Sequence, residues 1–138
     1  MIVQIAIDAL KAAEIQGVHN DNITEDIPAN VRNEKVTRIV VVEEDSDYTF
    51  IGDGVDDAGM YRTQLKIQVG DPSRQRAKAV CLLATQIVQR TFESMRFHDV
   101  GVHGIEKGNK SVGRPDNNKF EELFVATRTL IFINQFEP

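Results

Sequence analysis

A chain of 138 residues with 41% hydrophobic content suits one domain, large enough to bury about two-thirds of the surface its unfolded form exposes. Its formal charge of -5 and pI near 5.2 argue against a general nucleic-acid binder, because such affinity comes mostly from Lys and Arg neutralising phosphates. A single cysteine, Cys81, leaves neither a disulfide framework nor a Cys-ligated metal site.

The first residues carry Asp8, Lys11 and Glu14 and have neither the basic start nor the small-residue cleavage site of a signal peptide. The spacing predicts a helix from Ile2 to about Glu14, with Ile2, Ile5, Ala6, Ala9 and Ala13 on one stripe and Val3, Ile7 and Leu10 widening it. From Ile15 to Glu34 the chain turns polar and reads as a long irregular connection, a type of segment usually functional or anchored by a partner. Val36 to Glu43 reads as a strand, and its run Ile39-Val40-Val41-Val42 favours burial on both faces. A turn at Glu44-Asp45-Ser46, a short return strand from Asp47 to Ile51 and an acidic glycine-rich loop from Gly52 to Gly59 are expected next.

The most regular stretch follows. Tyr61, Thr63, Leu65, Ile67 and Val69 alternate with Arg62, Gln64, Lys66 and Gln68, which predicts a strand with one apolar face and one polar, long-chained face. Asp71 then reads as an N-cap, with Pro72 at the first helical position. The helix beyond carries Ala77, Val80, Cys81, Ala84, Ile87, Val88, Thr91, Phe92 and Met95 on one stripe and Arg74, Lys78, Gln89 and Glu93 away from it. Cys81 is therefore expected in the core. The longest uninterrupted apolar run, Ala79 to Ala84, is far too short to span a bilayer, so a soluble protein made and used without secretion is expected. Asp99 to Ile105 suggests another strand, Glu106 to Lys119 a glycine- and asparagine-rich mobile loop, and Leu123 to about Phe136 a long final strand.

Chemical constellations name no reaction. The acidic loop residues Asp53, Asp56 and Asp57, with Glu43 or Glu44, supply oxygen ligands but lack the spacing of a calcium loop. The segment Gly108-Asn109-Lys110-Ser111-Val112-Gly113 has the wrong glycine spacing for a phosphate loop. His19, His98 and His103 have no cysteine partner and no nucleophile elbow near them in the chain. No catalytic residue, metal or cofactor is expected, and the chain reads as a structural part rather than an enzyme.

The strand Tyr61-Arg-Thr-Gln-Leu-Lys-Ile-Gln-Val69 entering Asp71-Pro72-Ser-Arg-Gln-Arg-Ala-Lys-Ala79, together with the closing strand Arg128-Thr-Leu-Ile-Phe-Ile133 and the order of elements from Ile2 to Phe136, resembles the tail terminator, or tail completion, proteins of long-tailed bacteriophages. The resemblance is architectural and rests on no short motif. It implies an α+β protomer, with a mainly antiparallel sheet of about four strands and two helices on one face. It also implies a virion protein, made in the host cytoplasm, that forms a homo-oligomeric, hexameric ring capping the tail tube and joining it to the head. The expected partners are other copies of the chain, the tail tube protein and a head-completion or neck protein; DNA passes through as cargo, and no membrane is involved. In that setting Arg62, Gln64, Lys66 and Gln68 are candidates to face the channel, and Lys107, Lys110, Arg114 and Lys119 form a candidate partner-binding loop. Two alternatives remain: a head-completion or neck connector, and a small metal-dependent hydrolase using Asp53, Asp56 and Asp57.

Overall fold

A computed structural model of the chain describes residues 2–25, 36–50, 59–95, 102–113 and 124–134. The order of elements is α1 (Ile2–Ala12), a 3-10 turn (Asn20–Asn22), β1 (Ile23–Thr24), β2 (Arg38–Phe50), β3 (Gly59–Asp71), α2 (Arg74–Ser94), β4 (Val102–Gly113) and β5 (Phe124–Asn134). The class is α+β. The described sheet has five strands in the order β1-β2-β3-β5-β4 rather than four. It is mixed, because the short β1 runs parallel to β2 while the other pairings are antiparallel.

The alternation in β3 sets the two faces. Leu65, Ile67 and Val69 are fully buried against the helices, while Gln64, Lys66 and Gln68 are half-buried on the other side. Pairing of Ile39 with Val69 and Val41 with Ile67 brings β2 onto the same inner face, and Ala126, Leu130 and Phe132 continue it on β5. Both helices contribute to this one core, α1 through Ile2, Val3, Ala6, Ile7 and Leu10 and α2 through Ala77, Val80, Cys81, Ala84, Val88 and Phe92. Phe92 meets Phe132 edge-on, with ring centroids 4.7 Å apart. A smaller cluster on the outer face gathers Val42 and Val125 around the buried Val40, so the apolar run in β2 is indeed used on both faces.

Several local expectations need correction. The helix cap is Ser73, whose hydroxyl accepts from the Arg76 N–H at 3.3 Å, and Asp71 is instead the last residue of β3. Its carboxylate is diverted sideways: it accepts from the Thr37 hydroxyl and from the Ser73 N–H at 2.7 Å, and it forms an ion pair at 3.4 Å with Arg76, whose Nε–H donates to the Thr37 hydroxyl at 3.4 Å. Arg76 also donates to the Gln16 carbonyl at 2.7 Å. One buried aspartate thus joins the α1–β1 connection, the start of β2, the end of β3 and the first turn of α2. The first helix ends at Ala12 rather than Glu14, and its buried stripe runs through Ile2, Val3, Ala6, Ile7 and Leu10, leaving Ala13 exposed. Met95 is exposed, since the helix has ended before it.

The turn expected at Glu44-Asp45-Ser46 is not a turn. β2 continues through it, and one extra residue appears as a register shift between Glu44 and Asp47 against β3, an irregularity that bends a strand without ending it. The loop expected from Glu106 is strand up to Gly113, with its own shift between Lys107 and Lys110. A polar, glycine-containing strand survives at a sheet edge because a single neighbour, β5, supplies its ladder hydrogen bonds. β5 itself covers Phe124–Asn134, and the face carrying Ala126, Leu130 and Phe132 is the one turned to the core.

Candidate functional site

Between α2 and the outer strands β4 and β5 lies a cleft of about 620 Å³. Arg74, Gln75, Lys78 and Leu82 line it from the helix, Lys110, Ser111 and Val112 from β4, and Ala126, Thr127 and Arg128 from β5. An adjoining hollow of about 330 Å³ shares Lys110 and Arg128 and adds Lys107, Thr85 and Thr129. The site exists because α2 crosses over β3 and β5 and leaves the helix-side face of β4 partly open. Its charge is one-sided among the described residues: Arg74, Lys78, Lys107, Lys110 and Arg128 surround it, and none of the described lining residues is acidic. Among the described residues the ion pairs are His19 with Asp21, Lys66 with Glu44 and Arg76 with Asp71, and none involves a cation of the cleft.

Cys81 forms part of the cleft wall without being available for chemistry. It is 1% exposed, its thiol donates to the Ile67 carbonyl at 3.6 Å, and burial pushes its pKa up to about 11. Arg128 and Thr85 pull the other way but do not overcome burial. At neutral pH the group is therefore a thiol, and a thiol is a poor nucleophile. What the cleft can do is bind: cations gathered from a helix and two strands suit carboxylate or phosphate oxygens.

The sequence-predicted site residues fall in several places. Gln64, Lys66 and Gln68 share the outer face of β3, where Lys66 reaches Glu44 at 3.3 Å. Arg62 pairs in the backbone with Asp47 and Ile133, and its side chain lies outside the described residues. Lys107 and Lys110 do come together, on strand β4 rather than on a loop, whereas Arg114 and Lys119 lie outside the described residues, as do Asp53, Asp56 and Asp57. Among the described residues no group of three His, Cys, Asp or Glu is placed to hold a metal ion, and no helix is long and apolar enough to cross a membrane. Sequence reasoning took Arg74 and Lys78 for a solvated helix face and did not link them to Arg128. Their four-residue spacing on α2 was the available signal, but only the pairing of β4 with β5 brings Lys110 opposite Arg128. No protein-family model matches the chain, and no curated protein matches it.

Proposed function

We propose that the protein is a structural virion subunit of the tail-terminator type. Copies form a ring that closes the head-proximal end of a phage tail tube, joins it to the head and leaves a channel for DNA. The observation that supports this reading best is the two-sided sheet. One face is closed by two helices, while Gln64, Lys66 and Gln68 of β3 and Thr127 and Thr129 of β5 stay half-exposed on the other. Such a face is wet and polar yet rigidly held, which suits the lining of a conduit. The net charge of -5 discourages tight phosphate binding along that path.

In this reading Gln64, Lys66 and Gln68, with Arg62, face the channel, and the partners are further copies of the chain, the tube protein and a neck protein. The test is electron microscopy of the purified protein alone and mixed with tail tubes. Rings seated at one end of each tube are expected. Particles that bind a neck assembly but ignore tubes would assign the chain to the head-completion side of the joint instead, and a protein that forms no ring in either setting would end the proposal.

A further inference from the structure

The basic cleft holds like charges against one another. Lys110 and Arg128 are direct cross-strand partners, and opposed like charges destabilise a β ladder. Arg74 and Lys78 stand one helical turn apart on α2, a spacing at which like charges destabilise a helix. Arg74 also sits in the first turn of a helix that has no acidic residue there, where the backbone dipole disfavours a cation. No carboxylate among the described residues pairs with any of these side chains. Among the described residues nothing offsets these placements, and all of them would be relieved by one anion brought into the cleft by a partner.

We infer that this anion is the acidic β2 segment of a second copy of the chain, so that the cleft is one half of the subunit contact of the ring. The inference rests on the ring reading above and names its interface. Charge is segregated along the sequence: residues 39–61 contain no Lys or Arg, while Glu43, Glu44, Asp45 and Asp47 crowd one part of β2. The strand order β1-β2-β3-β5-β4 puts that segment and the cleft toward opposite sides of the sheet. β1 pairs with β2 only at Ile39 and Val40, so it does not cover the acidic part. Complementary patches on opposite sides of one protomer make a head-to-tail contact, and such contacts close into rings when the rotation between copies allows. Leu82, 40% exposed on the cleft wall, adds apolar area to the contact. DNA is the competing polyanion, but it would approach a chain that is already negative overall, whereas the acidic strand accounts for much of that negative charge.

Charge reversal with a mixing step tests this. One variant carries Lys78→Glu and Lys110→Glu, the other Glu43→Lys and Asp45→Lys, and unchanged circular-dichroism melting checks that each is folded. Lys78, Lys110 and Glu43 are all exposed, so folding should survive. Sedimentation and mass photometry should find wild-type rings that loosen as salt rises. Either variant alone should assemble at least about tenfold more weakly. A one-to-one mixture should assemble again, because each reversed surface then meets a reversed counterpart. Wild-type-like rings from either variant alone, or no recovery on mixing, would overturn the inference. So would a cleft variant that keeps its rings but loses a fluorescent duplex oligonucleotide that the wild type retains, since the cleft would then be a nucleic-acid surface. Failure of the ring reading looks different: the wild type itself would form no rings, alone or on tail tubes.

Discussion

Phe92 and Ile87 separate what a helical stripe promises from what packing delivers. Phe92 is fully buried against Phe132, whereas Ile87 only flanks the core. Phe92→Ala should therefore cost about 3 to 5 kcal/mol in urea denaturation and Ile87→Ala clearly less; equal losses would contradict this packing. Gly17 is constrained twice, by a φ of +80° and by Arg76, whose Nη2 would lie 2.1 Å from an added Cβ. That guanidinium is anchored on the Gln16 carbonyl and Asp71, so it cannot simply swing away. Gly17→Ala should destabilise by about 1 to 2 kcal/mol, and an unchanged melting temperature would show that the Arg76 anchor is slack. Cys81 makes the chain sensitive to alkali. Its folded pKa of about 11 lies above the ordinary value of 9.0, so between these values the unfolded chain has lost the proton that the folded chain keeps. Stability should be flat in this respect below pH 9 and fall between pH 9 and 11, by at most about 2 to 3 kcal/mol. Cys81→Ala should lower stability overall but remove that part of the slope, which denaturant titrations at several pH values would reveal.

At the scale of elements, legibility followed regularity. β3 and α2 were readable because one alternates strictly and the other keeps a long apolar stripe, and each pattern has a single structural solution. β4 was readable only at its start, where the strand expected up to Ile105 covers Val102 onward; the rest was missed because Gly108-Asn109-Lys110 has the composition of a loop and its strand state is supplied by β5 from elsewhere in the chain. Asp71-Pro72 imitates a helix cap, and only the presence of Thr37 and Arg76 beside Asp71 explains why the cap moves to Ser73. The cleft was half legible: Lys107 and Lys110 were picked out as binding residues, but their companions come from two other elements. The outer face of β3 carries its own prediction. The Lys66–Glu44 pair is more than a third exposed on both sides, so replacing Arg62 and Lys66 by Glu should change stability by less than about 1 kcal/mol. Under the proposed ring and channel, ring formation should persist while DNA retention in assembled particles changes. A variant that folds but stays monomeric would make this face a subunit contact and not a channel wall.

For the whole molecule, the decisive feature is where β5 sits. It follows every other described element in the chain, yet it lies between β3 and β4 and carries Ala126, Leu130 and Phe132 into the core. Deleting residues 124–134 should therefore leave no cooperative thermal transition and no native circular-dichroism spectrum, rather than a shortened but folded protein. A truncated chain that still melted sharply would mean that β2, β3 and the helices form an independent unit. The same placement has a consequence for biosynthesis. Contacts between β3 and β5 close a long stretch of chain, and such contacts form late. On a ribosome, α2 and β3 emerge first and must wait with their apolar faces unpaired until the strand that separates β3 from β4 has been translated. Incomplete nascent chains then have neither a finished sheet nor the β4–β5 wall of the basic cleft. Under the ring proposal, prematurely terminated products would be unable to enter a ring and block it, so the folding order itself would act as a check on which chains are admitted to assembly.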